Sequence, residues 1–176
     1  MNTRIVTITI VSLGMSGMAV AQTQAPAVAL VSLPPPSGGS TVSLTAIDAA
    51  GDVLGSSLIN SNPEIVVWAG GKTPVVYPRL PGDQGTDKDY TPVAINKSGA
   101  VIGKSAGFEN GTWTVQGIYW DAARHPTAVP GAVNLTGLSD GLAIAGTTGG
   151  AQSDLQNAAQ WAAPTAERSG CRIHPN

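Results

Sequence analysis

The chain has 176 residues, a formal net charge of −2 and 11% charged side chains. That balance leaves no basic patch for nucleic acid and no polybasic anchor for anionic lipid, while the length allows one domain with a real core. Its 22 glycines and 13 prolines, beside 42% hydrophobic residues and four tryptophans, suit short strands joined by tight turns, because Gly and Pro are penalised inside helices.

Residues 1–21 read as a secretory signal peptide. Met1 to Arg4 is a short basic start, Ile5 to Leu13 is apolar, and Ala19-Val20-Ala21 fits the small-x-small cleavage pattern. Cleavage after Ala21 would leave Gln22 as the mature N-terminus. An uncleaved anchor is the competing reading, but Ser12, Gly14, Ser16 and Gly17 interrupt the run well short of the roughly 20 apolar residues that a span needs. The expectation is an exported protein with no integral membrane segment after cleavage. The repeat domain then covers 22–164.

Self-similarity organises that domain. Thr45 to Ser57, Val93 to Ser105 and Thr136 to Thr148 align without gaps, and Ile47, Ile95 and Leu138 each stand eight residues before Gly55, Gly103 and Gly146. Each copy then reaches a tryptophan, Trp68, Trp120 and Trp161. Every unit reads as a hairpin followed by further strands. Asp48 and Asn96 suit the first position of a type I turn, and Gly51 and Gly99 suit the fourth. In the third copy Asp140-Gly141 predicts a tighter, two-residue turn. Ile65 to Trp68 and Gly117 to Trp120 read as third strands, and Thr73 to Tyr77 and Pro126 to Val129 as fourth strands. Ser153 to Ala163 is rich in Ala and Gln and would suit a short helix before Pro164, yet register with the other copies argues for a strand. Residues 165–176 read as a polar tail containing the lone Cys171, which excludes an intrachain disulfide and a cysteine-based metal site.

This pattern resembles the bacterial extracellular repeats called HAF repeats. Their motif runs Ala-Ile-Asn-x-x-Gly-x-Val-x-Gly-x-Ser, then an aromatic-x-Trp strand, then a glycine-containing link. Ala94 to Ser105 matches almost completely, and the first copy has Asp48 in place of Asn. The third copy departs, with Leu138-Ser139 for Ile-Asn and Gln160-Trp161 as its aromatic remnant. The resemblance covers most of residues 28–163 and implies an all-β repeat architecture; it carries no implied activity.

Leu30 to Leu33 looks like a fourth strand placed ahead of the first hairpin, whereas the third copy ends soon after Trp161. The expected fold is therefore all-β, with three four-stranded units in a propeller- or prism-like arrangement and a strand at 28–33 completing the last unit. Three blades are fewer than the usual four to eight or so. A three-fold prism, association with another copy, or a shortened relative of a longer array are the alternatives.

Motifs for chemistry are sparse. Gly70-Gly71-Lys72-Thr73 resembles the end of a phosphate-binding loop, but Val66 stands where the earlier glycine belongs and Pro74 where a helix should begin, so a turn is expected. Asp83, Asp87 and Asp89 crowd one link; their spacing matches no EF-hand and Lys88 sits among them, which favours a solvated loop over a Ca²⁺ site. His125 and His174 are the only histidines, Asp121 is near His125 in sequence, and no Gly-x-Ser-x-Gly elbow occurs. Paired carboxylates involving Glu64 or Glu109 remain open, because distance is invisible at this level. Trp68, Trp120 and Trp161 are expected to fill their own units' cores. Trp113, outside the register beside Asn110-Gly111-Thr112, is the candidate ligand contact.

No cofactor or metal is expected, and the partner is unknown. The leading expectation is an exported, non-catalytic binding or structural module. A self-associating assembly subunit, whose exposed strand edge pairs with another chain, comes second, and a secreted hydrolase third.

Overall fold

Each repeat folds into its own antiparallel sheet. The structure, a computed structural model, describes residues 30–84, 87–149 and 157–161. Among the described residues every strand lies within Val31–Asn176. The first unit comprises β1 (Gly39–Ile47), β2 (Val53–Ile59), β3 (Asn62–Ala69) and β4 (Thr73–Val76), paired in chain order. The second comprises β5 (Asp89–Ile95), β6 (Val101–Glu109), β7 (Thr112–Trp120) and β8 (Pro126–Ala128). The third has β9 (Ala132–Leu138), β10 (Ile144–Thr148) and β11 (Asn157–Trp161). The fold is all-β and propeller-like, with one 3-10 turn at Pro81–Asp83 and no α-helix among the described residues. Asn157–Trp161 forms a strand, as the repeat register requires.

The three hairpins share one turn. The amides of Gly51, Gly99 and Leu142 donate to the carbonyls of Asp48, Asn96 and Ser139, and those three residues' amides donate to Asp52, Ala100 and Ala143. The side chain opening the turn accepts as well: Asp48 Oδ1 from Ala50 and Asp52, Asn96 Oδ1 from Ser98 and Ala100, Ser139 Oγ from Ala143. The tight two-residue turn expected at Asp140-Gly141 is therefore corrected. Leu142, not Gly141, holds the left-handed conformation, at φ 64° against 85° for Gly51 and 78° for Gly99. The hydrogen bonds of the turn fix its geometry and the residue conforms, at a cost of about 1–2 kcal/mol for a side chain in that region.

The repeat glycine answers to a bulge. In β1, β5 and β9 the pairing skips one residue, between Leu44 and Ala46, Pro92 and Ala94, and Leu135 and Gly137. Each bulge presses a carbonyl, of Ser43, Thr91 or Asn134, against Gly55, Gly103 or Gly146, where a Cβ would overlap it. At Gly103 the added carbon would stand 2.6 Å from Thr91 O and 2.8 Å from Ile65 Cδ1. Gly103→Ala is expected to cost about 1–3 kcal/mol, as overpacking does, read as a fall in the urea midpoint. Gly137→Ala, where nothing lies within 4 Å, is expected to stay within about 0.5 kcal/mol.

Consecutive units stack in the same way. β5 lies across β1, β2 and β3, and β9 lies across β5, β6 and β7. The first interface buries Leu54, Ile65 and Val67 with Tyr90, Ile95, Val101 and Trp120. The second buries Ile102 and Tyr119 with Leu135, Ile144 and Trp161. Among the described residues no strand of the first unit touches one of the third. The expectation of a strand at 28–33 closing the third unit is also corrected: 30–36 carry no strand pairing, and 28–29 lie outside the described residues. This segment is bonded to the first unit by Trp68, whose Nε1 donates to Pro34 O at 2.7 Å, and by Gly39, whose amide donates to Pro36 O at 2.9 Å.

Candidate functional site

The three matched tryptophans are fully buried and each donates its indole N–H to the link entering its own unit. Trp68 bonds Pro34 O and Trp120 bonds Pro78 O, both at 2.7 Å, and Trp161 bonds Pro130 O at 3.2 Å. The motif residues around them are spread over turns and interfaces. Asp48, Asn96, Gly51 and Gly99 make the turns, Gly55, Gly103 and Gly146 face the bulges, Ile95 is buried, Leu138 is half-buried and Ile47 is exposed. Of these, Ile47 and Gly51 line one cleft on the first unit.

Trp113 lies elsewhere, near the tip of the β6–β7 hairpin. Asn110 and Gly111, both left-handed at φ 51° and 78°, form the two-residue turn that an Asn-Gly pair favours. That turn sets Glu109 opposite Thr112 and Phe108 opposite Trp113. Phe108 and Trp113 meet edge to face, with centroids 5.1 Å apart and planes at 73°, and both reach solvent. They border an open cleft of about 450 Å³ that Asp87, Asp89, Glu109 and Asn110 also line. Sequence reading singled out Trp113 and missed Phe108. Its signal was present, because a two-residue turn at 110–111 makes positions 108 and 113 cross-strand neighbours.

One wall of this cleft is held from inside. Lys88, expected on a solvated loop, is buried: its Nζ lies 2.7 Å from Asp83 Oδ1 and 3.0 Å from Glu109 Oε2. Asp83 is buried too, and Tyr90 donates its hydroxyl to Asp83 Oδ2 at 2.7 Å. Burial pushes the Asp83 carboxyl up, but the hydrogen bonds from Lys88 and Tyr90 outweigh it and hold the carboxyl below the ordinary range. Burial pushes Lys88 down, and its bonds to Asp83 and Glu109 more than reverse that. The solvated-loop expectation fails at Asp83 and Lys88, because two opposite charges in bonding distance can share a dry site that neither would enter alone. Asp87 and Asp89 are exposed, as that reading expected.

The remaining candidates are surface features. Gly70 to Lys72 form a turn, with Gly71 N and Lys72 N donating to Trp68 O and Ala69 O. His125 Nδ1 lies 3.0 Å from Asp121 Oδ2 across a turn, with the imidazole 78% exposed. His174 and Cys171 lie outside the described residues. Among the described residues no helix is long and apolar enough to cross a membrane. In comparison with known proteins the chain matches no family model, no curated protein and no solved structure.

Proposed function

We propose that this chain is an exported, non-catalytic β-repeat module of the HAF-like kind that holds its ligand at the Phe108–Trp113 cleft. The observation that carries the reading is the exposed aromatic pair itself. Two large rings that reach solvent at a hairpin tip, while all three matched tryptophans are fully buried, offer apolar surface that binding would cover. Read as a leader, residues 1–21 support export. The cleft's chemistry suits a hydroxylated ring such as a sugar: the aromatic edge takes its apolar face, and Asp87, Asp89 and Asn110 accept or donate at its rim.

The test is tryptophan-fluorescence titration of residues 22–176 against a panel of soluble glycans. Binding is expected to quench emission, and Trp113→Ala to weaken it by at least about tenfold, since loss of a stacked ring removes more than 1.4 kcal/mol. The same variant should lose only about 1 kcal/mol of stability, the worth of an aromatic pair. Glycan affinity that is unchanged in Trp113→Ala would move the site elsewhere. Turnover of a glycan or ester that disappears on changing one carboxylate would replace the module with a hydrolase.

A further inference from the structure

The first unit exposes the face that the other two units bury. Ile47 is 67% exposed, whereas Ile95 at the matched position is 9% exposed; Leu44 is 57% exposed, whereas its counterpart Leu135 is 2% exposed. The uncovered face opens onto a cleft of about 570 Å³ lined by Val31, Leu33, Leu44, Ala46, Ile47 and Val53. It is the upstream face, against which the preceding unit lies in both interfaces of this chain. At the other end, among the described residues, β11 pairs only with β10, whereas β3 and β7 each carry a fourth strand.

The segment ahead of the first unit matches β4 and β8 in position. Pro34, Pro78 and Pro130 occupy one position, each accepting from its unit's tryptophan. Counting back from them sets Val31 to Leu33 level with Val75 to Tyr77 and with Thr127 to Val129, the residues of β4 and β8 and the one that follows each. In β4, Val76 pairs with Val66 and Val75 with Val67, and Tyr77 N donates to Ile65 O at 2.9 Å. Carried to the third unit, that register sets Ser32 opposite Ala159 and Val31 opposite Gln160, with Leu33 N donating to Ala158 O.

We propose that a second copy of this chain fills both vacancies at once: its third unit seats on the Leu44–Ile47 face, and its β11 takes Val31 to Leu33 as a fourth strand. The two requirements describe one interface, because in this fold a fourth strand leads directly into the next unit, whose first strand crosses the sheet just completed. Two chains joined head to tail through two such contacts hold six units, within the usual range of about four to eight blades, and close without a free edge. The receiving face of the third unit carries Ala145, Ala158 and Gln160, all exposed, where the first unit has Leu54, Ile65 and Val67. The association is therefore weaker than the contacts within the chain and follows concentration. The proposed interface shares no residue with the Phe108–Trp113 cleft.

The experiment uses residues 22–176 with Cys171→Ser. A chain with Ser32→Cys is mixed with a chain with Ala159→Cys under mild oxidation, and the products are separated without reductant. Matched positions in β3 and β4, Val66 and Val76, form a pair without mutual hydrogen bonds, the geometry that brings side chains close enough for a disulfide. A disulfide joining the two different variants is expected, together with a light-scattering mass of two chains in the uncrosslinked protein. Ile47→Asp should weaken that association by roughly 100-fold, the scale of a buried anchor replaced by a charge, with cooperative unfolding retained. A chain that stays monomeric at its highest soluble concentration overturns the proposal. So does open-ended growth, or linkage of Ser32→Cys chains only to one another. If the doubly substituted chain forms its disulfide within one molecule, the ring closes inside a single chain and the second copy is excluded.

Discussion

Trp120→Ala is expected to bring the protein to the edge of unfolding at room temperature. The indole is fully buried, meets Tyr77 and Tyr90 edge to face with centroids 6.2 Å away in each case, and donates to Pro78 O. Truncating a buried tryptophan costs about 3–5 kcal/mol, and a carbonyl left without its donor adds about 1–3 kcal/mol if water cannot reach it. A domain of this size has only about 5–15 kcal/mol in hand. Urea unfolding followed by far-UV circular dichroism should show the midpoint collapse, and Trp120→Phe should recover most of the packing but not the Pro78 bond. Trp68→Ala makes the informative comparison. Trp68 has the same burial and the same proline bond, but it belongs to neither interunit cluster, so its loss should be smaller. Equal losses would mean that each tryptophan stabilises its own unit alone and that the interfaces add little.

Removing Lys88 should cost nearly as much, for an electrostatic reason. Its ammonium faces Asp83 and Glu109, and the Lys88 and Asp83 side chains are only 7% and 6% exposed. Breaking a buried pair by removing one partner typically costs about 3–5 kcal/mol, whereas neutralising both is often close to neutral. Lys88→Met keeps the stem, against which Gly107 fits closely, so its loss reports charge and not volume. Lys88→Met combined with Asp83→Asn should recover most of the stability; a double variant as weak as the single one would show that shape and not charge is at stake. The pH dependence has a definite sign. Asp83 is depressed on folding, so its contribution is complete above the unfolded carboxyl range and is lost as pH falls through the lower folded value. Lys88 is raised, so its contribution is complete below the unfolded lysine value and is lost as pH rises through the higher folded one. Acid unfolding monitored by circular dichroism should accordingly start at higher pH in the wild type than the residual transition of Asp83→Asn, once both are scaled to their neutral-pH stability.

What the sequence determined by itself was the local grammar. Matched Gly55, Gly103 and Gly146, matched tryptophans and turn-forming residues after Ile47 and Ile95 are statements about single strands and turns, and period and turn chemistry decide those. Even a degenerate third copy kept its register, so the strand at Asn157–Trp161 was legible despite an Ala- and Gln-rich stretch that would suit a helix. Two errors show the limit of local reading. Asp140-Gly141 looked like a tight turn because Gly is the easy donor of positive φ, yet the shared hydrogen bonds assign that conformation to Leu142. Asp83 and Lys88 looked like a solvated loop because each is costly to bury alone; that they bury each other depends on how the link folds back over β5 and β6.

Only the tertiary structure decided what faces what. Ile47 and Ile95 are indistinguishable by motif, but one meets a preceding unit and the other meets water. Val31 to Leu33 has the composition of a strand, but a strand exists only where a partner edge lies alongside, and the first unit supplies a bond to Pro34 and no edge. Phe108 became part of a candidate site only when the 110–111 turn set it against Trp113. Sequence fixes a residue's own conformational preferences; its neighbours across a sheet or between units are set by how the chain closes on itself, and burial, pairing and the candidate site all follow from those neighbours.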